Sequence, residues 1–502
     1  MMPERRVEPS YSLAALLNGI SQVAAIDDVK VTGLCHTAQA ILPGDLFVAV
    51  AGRRTHGLRY VDHALARGAA AVVWEPAYAI APPADLNSIP CIAVEHLNQR
   101  LGLIADRFFG QPSRYLTVIG VTGTDGKTSV SHLLAQALDE LHICCGLIGT
   151  LGYGLYGHLK AGMHTTPDAI RLHAELATQH AQGASVVVME VSSHALSQNR
   201  VDGVAVDIAI LTNLTRDHLD FHQTHTAYAA TKRRLFEMPG LHHAIINTDD
   251  AFGLGLCRSL APAVHVLGYG VDESPLSASR TVHASDIKST LAGLHFEVQT
   301  PLGRGTIEST LLGRFNVHNL LATLTALLAL GMPLEQALAG LHHTRGAPGR
   351  MERHGGAGKP IVVVDYAHTP AALAQALIAL REQCRGRLRC VFGCGGDRDK
   401  GKRPLMAQVA ERHADEAIVT DDNPRTEPPS VITDDILKGF SDPAAVRVIH
   451  DRAEAIGYAI SRACVNDVVL VAGKGHERVQ IVGGEVRPFS DSQQVERWLC
   501  ES

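Results

Sequence analysis

Gly123-Thr124-Asp125-Gly126-Lys127-Thr128 combines the residue types that polyphosphate binding needs: glycines that let backbone N–H groups come close, and a lysine that supplies a point charge. Thr128 adds a hydroxyl of the kind that ligates Mg²⁺. The stretch before it, with Leu116, Val118, Ile119 and Val121, reads as a short apolar strand. The stretch after it sets Val130, Leu133, Leu134, Ala137, Leu138 and Leu141 on one helical face. Strand, glycine turn and helix in that order predict a nucleotide-phosphate cradle. The regular Walker spacing is not met, because Gly120 comes one residue early and Val121 stands where a glycine is expected.

Other reactive groups gather after later strands. Glu190 sits in the valine-rich run 186–191, ahead of Ser192-Ser193-His194. A carboxylate there is costly unless paired or metal-bound, so Glu190 is either a satisfied structural acid or a Mg²⁺ ligand. The strand pattern 208–211 leads into Thr212-Asn213-Leu214-Thr215-Arg216-Asp217-His218-Leu219-Asp220. Polar groups at the carboxyl end of a strand lie where open α/β sheets bind ligands. Beside Glu190 and the cradle, His218 reads as a functional group. Thr165-Thr166-Pro167-Asp168 reads as a helix cap with proline in the first turn, a role compatible with touching a substrate. Lys232 reads as an ordinary exposed helix lysine. Asn316 and Asn319, at the start of a helix entering an Ala/Leu-rich core, are caps or nucleotide contacts.

The elements that must carry these groups follow a repeating pattern. Near the N-terminus, Pro43-Gly44-Asp45 turns into a strand over 46–50, a helical pattern runs from Tyr60 to Arg67, and a second strand covers 70–74. Gly52-Arg53-Arg54-Thr55 follows the first strand; it could touch a phosphate but reads by itself as a solvated loop. Gly110 to Ser113 reads as a linker. After Pro348-Gly349-Arg350, strand patterns at 361–364, 389–392, 417–420 and 467–471 alternate with helical ones, which predicts a second parallel sheet. Each strand ends in a polar or glycine-rich loop: Asp365 to Pro370, Gly393 to Gly401, Asp421 to Arg425, and Gly473 to Glu477. Four such loops on one sheet define a binding edge.

Composition bounds the rest. A chain of 502 residues suggests about three domains. Hydrophobic residues at 46% and charged ones at 19% describe a well-packed α/β protein. The formal charge of −6 leaves no global basic field for nucleic acid, so a polyanionic substrate must be held by local basic groups. The ten cysteines are scattered, and adjacent Cys144-Cys145 lacks zinc spacing, which suits reduced cytosolic thiols. Residues 1–20 lack a signal-peptide pattern and no apolar run is long enough to span a membrane, so a cytoplasmic protein is expected.

In this order, Gly123-Thr-Asp-Gly-Lys-Thr128, Glu190-Val-Ser-Ser-His194, Asp217-His-Leu-Asp220, Asp365-Tyr-Ala-His368 and Gly473-Lys-Gly-His-Glu477 resemble the Mur ligases of peptidoglycan synthesis across essentially the whole chain. The resemblance implies three domains: a small α/β UDP-substrate-binding domain at 1–112, a central P-loop-type ATPase domain with a mostly parallel sheet at 113–347, and a C-terminal Rossmann-like amino-acid-binding domain at 348–502. Asp422-Asn423-Pro424-Arg425 resembles the motif of members that add meso-diaminopimelate rather than lysine. The implied activity is ATP-dependent amide-bond formation through an acyl phosphate on UDP-N-acetylmuramoyl-L-alanyl-D-glutamate, serving cell-wall biogenesis, cell shape and division. Its implied form is a monomer.

The same resemblance implies ATP contacts at Gly123, Thr124, Asp125, Gly126, Lys127, Thr128, Ser129, Asn316, Arg350 and Asp365. It implies Mg²⁺ near Thr128, Glu190, His218 and a carbamylated Lys232; Lys127, Glu190, His218 and Lys232 make up the implied catalytic set. The UDP-muramoyl dipeptide is assigned Arg53, Arg54, Thr55, Thr165, Thr166, Ser192, Gln198 and Arg200. Diaminopimelate is assigned Arg398, Asp422, Asn423, Pro424, Arg425, Gly473 and Glu477. Three positions depart from the family pattern: Thr37-Ala38-Gln39 in place of Asp-Ser-Arg, Asp125 in place of Asn, and His164 in place of the frequent Asn. None removes a central catalytic group, so an active enzyme is expected. Folylpolyglutamate synthase shares the last two domains but gives no reason for the first or for Asp-Asn-Pro-Arg. The intact Lys127, Glu190, His218, Lys232 and Arg425 argue against a non-catalytic nucleotide-binding paralogue.

Overall fold

The computed structural model describes residues 10–501 except 53–54, 78–79, 81, 83–88, 216, 273–275, 291 and 357. The chain forms two compact units: Met1–Lys127 with His142–Ile246 and Asp250–Val266, and Thr128–Leu141 with Asn247–Asp249 and Leu267–Ser502.

In the first unit, β1 (Gly33–Cys35), β2 (Asp45–Ala49), β3 (Ala71–Trp74) and β4 (Cys91–Ala93) form a parallel sheet in sequence order. Strand side chains alternate between faces. Leu46, Val48, Ala71 and Val73 accordingly pack against Leu97, Leu101, Ile104 and Phe108 of the helix Leu97–Phe108. Phe47, Ala49 and Val72 face Val61 and Ala64 of the helix Val61–Ala66.

The same unit contains β5 (Thr117–Thr122), β6 (Cys145–Gly149), β7 (Gly152–Leu155), β8 (Val186–Glu190), β9 (Ile208–Leu211) and β10 (His243–Asn247), arranged β10-β9-β5-β8-β6-β7. All neighbours are parallel except the hairpin β6-β7. Strands buried on both faces read as continuous apolar runs, which is why Val186 to Met189 are all buried. Since β5 lies between β8 and β9 while its own chain leads on to β6, the sheet has its topological switch point at the end of β5.

The region from Gly110 to Ser113 forms a built turn. Pro112–Arg114 forms a short 3₁₀ helix, and the buried Ser113 hydroxyl accepts the Ala205 N–H at 3.0 Å. A Cβ on nearby Gly102 would overlap the Asp202 carbonyl, so the helix Leu97–Phe108 runs directly against that backbone. Pro167 also differs from expectation. Asp168 is the N-cap of the helix Ala169–Ala181, its carboxylate accepting the Arg171 N–H at 3.1 Å, so the proline precedes the cap instead of opening the helix.

The second unit begins its sheet structure with β11 (His265–Gly270), β12 (Thr281–Thr290), β13 (Gly293–Thr300) and β14 (Gly303–Ser309), the last three antiparallel. Its C-terminal part holds β15 (Glu352–Gly355), β16 (Ile361–Asp365), β17 (Leu388–Phe392), β18 (Glu416–Val419), β19 (Arg447–Val448) and β20 (Val468–Ala472), ordered β15-β16-β20-β17-β18-β19. Only β15 is antiparallel to its neighbour. Val363, Cys390, Phe392 and Leu470 pack under the helices Pro370–Arg381, Lys402–His413 and Pro429–Leu437. Val362, Val364, Val391 and Val469 pack under Arg452–Ser461 and Asp491–Glu501. This doubly wound arrangement brings the four expected loops to one sheet edge.

Candidate active site

The cradle follows β5 directly. Gly123 has φ 152°, and a Cβ there would overlap the Thr212 hydroxyl, so only glycine suits this position. The adjoining loop after β9 ties the turn down: Asn213 O accepts the Thr124 N–H at 3.0 Å, and Asn213 Oδ1 accepts the Asp125 N–H at 2.9 Å. Thr212 Oγ1 donates to the Asp125 carbonyl at 2.5 Å. Gly123→Ala is therefore expected to destabilise the cradle by roughly 1–3 kcal/mol. It should lower the thermal midpoint and abolish ATP protection against unfolding; a variant that ATP still stabilises would contradict this.

Two ammonium groups meet at one carbonyl. Lys127 Nζ donates to Gly123 O at 2.9 Å and to Thr124 O at 2.8 Å, while Lys232 Nζ donates to Gly123 O at 2.6 Å. Lys232 is only 1% exposed, which corrects its reading as an ordinary surface lysine. Its helix, His225–Arg233, turns this face inward, and the Lys232 Nζ also lies 4.7 Å from the Tyr228 ring centroid. Burial, reinforced by the Lys127 charge, holds the Lys232 pKa well below its ordinary value despite Asp217 and Asp125. Tyr228, at i−4 on the same helix, also bonds the Thr124 hydroxyl at 3.2 Å. This residue was missed, although the i, i+4 spacing of Tyr228 and Lys232 was a signal of a shared face.

Glu190 ends β8 opposite Val121 and is 1% exposed. Its carboxylate accepts the Thr150 N–H at 2.8 Å and the Thr150 hydroxyl at 3.1 Å. His218 has φ 51° and a half-exposed ring, with Nε2 at 3.3 Å from Asp217 Oδ2. Its ring also meets that of His194 edge-on, with centroids 4.8 Å apart. Asp125 is exposed, Thr128 is buried and Ser129 half-buried at the start of the helix Lys127–Glu140. Among the described residues, no group of three or more His, Cys, Asp or Glu is disposed to hold a metal.

The residues assigned to the muramoyl dipeptide largely come together beside Glu190. Thr165 Oγ1 meets Thr150 Oγ1 at 3.1 Å, and the Thr166 hydroxyl donates to Glu190 O at 2.7 Å. Ser192 N–H donates back to Thr166 Oγ1 at 3.1 Å. Arg200 donates to Thr166 O at 3.0 Å and to Gln198 Oε1 at 3.1 and 2.7 Å. Thr55 closes a turn by accepting the Gly52 N–H at 3.1 Å, whereas Arg53 and Arg54 lie outside the described residues. The divergent Thr37 stands at the N-cap position of the 3₁₀ turn Ala38–Ala40 without a side-chain bond to it, and His164 is exposed, its carbonyl accepting from the Tyr153 hydroxyl.

In the second unit, buried Asn316 donates to Leu312 O at 2.7 Å and accepts from Asn319 Nδ2 at 2.7 Å. Asp365 ends β16 and accepts the Met351 N–H at 2.7 Å and the Ala367 N–H at 2.8 Å. The Arg350 guanidinium stacks 4.6 Å from the Tyr366 ring centroid, with the His476 ring on that tyrosine as well. Burial, with Arg350 nearby, pulls His476 down to about 4, so its ring is neutral.

The other three loops form a polar cluster. Asn423 Nδ2 donates to Glu477 Oε2 at 2.8 Å, and Lys474 Nζ donates to Asn423 Oδ1 at 3.0 Å and to Glu477 Oε2 at 2.8 Å. Burial raises the Glu477 carboxyl pKa, but the Lys474 charge and these bonds outweigh it and hold the group below its usual range. At Asp422, by contrast, burial prevails and raises the carboxyl, against the pull of Arg452 and Lys474. A Cβ on Gly473 would stand 2.6 Å from Asp422 Oδ2, so the two loops touch there. Arg425 has φ 55°, takes its N–H to Ile481 O at 2.9 Å, and donates from Nη1 to Gly396 O at 2.8 Å. Pro424 is buried and Arg398 is exposed.

Three family models match in chain order: the Mur ligase family, catalytic domain over residues 30–109; the Mur ligase middle domain over 121–327; and the Mur ligase, glutamate ligase domain over 349–475. The chain is also 51% identical to the UDP-N-acetylmuramoyl-L-alanyl-D-glutamate--2,6-diaminopimelate ligase of Pseudomonas aeruginosa over 474 residues, 94% of this chain and 96% of that one. The chain belongs to the Mur ligase family. The ligase of the same name from Coxiella burnetii is 48% identical over 472 residues, 94% of this chain and 96% of that one. A solved structure of a UDP-N-acetylmuramoyl-L-alanyl-D-glutamate--2,6-diaminopimelate ligase superposes with a TM-score of 0.72 at 35% identity, covering 98% of this chain and 99% of that one. The α/β architecture with N-terminal, central and C-terminal Mur ligase domains is thus that of the family. Among the described residues, no helix is long and apolar enough to cross a membrane.

Proposed function

We propose that this Mur ligase uses ATP to join meso-diaminopimelate to the free γ-carboxylate of UDP-N-acetylmuramoyl-L-alanyl-D-glutamate, in the synthesis of peptidoglycan precursors. The observation that carries the reading is the meeting of Lys127 and Lys232 at the Gly123 carbonyl, at the switch point of a parallel sheet and beside buried Glu190. The relatives' names support the substrate pair.

In this reading residues 1–112 bind the UDP end of the substrate, 113–347 bind ATP and 348–502 bind the amino acid. Gly123 to Ser129 cradle the phosphates; Asn316, Arg350 and Asp365 serve the nucleoside. Thr165, Thr166, Ser192, Gln198 and Arg200, with Arg53, Arg54 and Thr55, serve the muramoyl dipeptide. In this reading Mg²⁺ would be held by the buried Glu190 carboxylate, the Thr128 hydroxyl, the His218 imidazole and, once carbamylated, Lys232, whose carbamate would add a second anionic oxygen donor. When bound, Mg²⁺ neutralises phosphate charge. The substrate carboxylate attacks the γ-phosphorus and ADP leaves; the amine then attacks the acyl carbon and phosphate departs. Lys127 stabilises the developing phosphate charge, and the cradle aligns the reactants. The protein acts as a cytoplasmic monomer.

The decisive assay is phosphate release from ATP with the UDP-muramoyl dipeptide, with and without diaminopimelate or lysine. Turnover that needs diaminopimelate is expected. Equal turnover with lysine, or none with either, overturns the proposal. Arg425 suits the distal carboxylate that distinguishes diaminopimelate from lysine, because its planar fork bonds bidentately. Arg425→Ala is expected to raise the KM for diaminopimelate about ten- to hundredfold, with the KM for ATP unchanged. An unaltered preference over lysine would exclude that role.

A further inference from the structure

We propose that Lys474 is the positioning residue of the amino-acid pocket, its buried ammonium fixing both the amide orientation of Asn423 and the carboxylate of Glu477. The inference rests on the reading of that pocket as the diaminopimelate site. Lys474 is 0% exposed, so its charge serves the interior and not the solvent.

An asparagine amide has an accepting end and a donating end, and turning it over exchanges them. Here Asn423 Oδ1 accepts two bonds, from Lys474 Nζ at 3.0 Å and from the Ile481 N–H at 3.0 Å. That leaves Nδ2 pointing at Glu477 Oε2, 2.8 Å away. Lys474 closes the triangle with its own 2.8 Å bond to the same carboxylate oxygen. The opposite amide orientation would set Nδ2 against an ammonium and an N–H, and Oδ1 against a carboxylate. Lys474 therefore excludes it electrostatically. The same ammonium is the ion-pair partner of Glu477, whose side chain is only 29% exposed. Because lysine has no acceptor, it tolerates only one arrangement of its neighbours, one in which both offer oxygen.

The two loops meet at a second point, where Gly473 approaches the Asp422 carboxylate. The backbone of 473–477 and that of 422–425 are thus held in register around the ammonium, and residues proposed to touch the amino acid are oriented through it. Lys474 acts through these two side chains.

The test is a double-mutant cycle on the full-length enzyme with Lys474→Met, which keeps most of the apolar stem and deletes the charge, Glu477→Gln, and the pair together. Lys474→Met is expected to raise the KM for diaminopimelate about tenfold or more, while the KM values for ATP and the UDP-muramoyl dipeptide stay near wild type. The double variant is expected to be no worse than the poorer single variant, because both substitutions break one unit. Effects that multiply, a unchanged diaminopimelate KM in folded Lys474→Met, or KM values that rise together for all three substrates, each overturn the proposal. Should Lys474→Met fail to fold, Lys474→Gln carries the test, since its amide can still donate to Asn423 while Glu477 loses its cation. The same selective rise is expected, and a wild-type KM again overturns the proposal. A wild-type enzyme that does not use diaminopimelate at all refutes the reading of the pocket instead, and the control reaction shows which has failed.

Discussion

Lys232→Ala is expected to lower ligation about 10²–10³-fold, with part of the activity returning on addition of formate or acetate. The expectation rests on where the side chain lies. A lysine 1% exposed must surrender most of its hydration, and its hydrogen bond is to a neutral carbonyl. No described carboxylate lies within ion-pair distance, and the Lys127 ammonium approaches the same carbonyl oxygen. Burial and the Lys127 charge disfavour the protonated amine, and the unprotonated amine is the form that attacks CO₂. The nitrogen forms a bond to carbon, a proton leaves, and the product is an anionic carbamate. In the proposed carbamate that anion would pair with Lys127, whose charge otherwise disfavours a second ammonium there. The proposed carbamate explains why a lysine would be buried beside another lysine. Carboxylate rescue separates this role from a purely structural one, because a missing packing group is not replaced by a small anion. Intact-protein mass measured in bicarbonate gives a second check. A fully active enzyme with only the unmodified mass, or an alanine variant that no carboxylate revives, rules the role out.

Asp491→Asn is expected to cost roughly 3–5 kcal/mol of stability in the C-terminal part of the chain. Arg452 and Asp491 are both 0% exposed and bond bidentately, at 2.7 Å for both contacts. The asparagine is isosteric but neutral, so it strands a buried guanidinium. Arg452 also donates to the Ala472 carbonyl at 2.9 Å, at the end of β20 and just before Gly473. The helix Asp491–Glu501 is thereby tied to the loop proposed to bind the amino acid. Calorimetry should show a lower thermal midpoint, and hydrogen exchange should show earlier opening of β20. Replacing both partners, as Arg452→Leu with Asp491→Leu, should recover much of the loss, because no charge is left unpaired. A single variant as stable as wild type would show that the pair is hydrated or dispensable.

The elements of the parallel sheets were legible because their information is local. Valine-rich runs predicted β8, β16 and β20 to within about a residue or two at each end, the ordinary scatter of strand ends. The strand–glycine turn–helix of the proposed cradle was legible for the same reason, since the strand, glycines and lysine lie within fourteen consecutive residues, 115–128, and the helix follows directly. The antiparallel strands β12 to β14 went unread although the signal was present. Leu294, Phe296 and Val298 alternate with polar residues and are all buried.

Charge burial was a different matter. Residue types and spacing determined the α/β class, the run of loops at strand ends, and the short list of groups able to handle phosphate and carboxylate. Only the tertiary structure decided that Lys232 faces inward against Gly123, 109 residues away along the chain, and that Lys474 reaches Asn423, 51 residues away. A side chain's period along its own helix tells which face it occupies, but not which carbonyl or carboxylate another loop will bring to that face. Hydration, pairing and pKa depend on that second fact, and it exists only once distant strands have set their ends side by side.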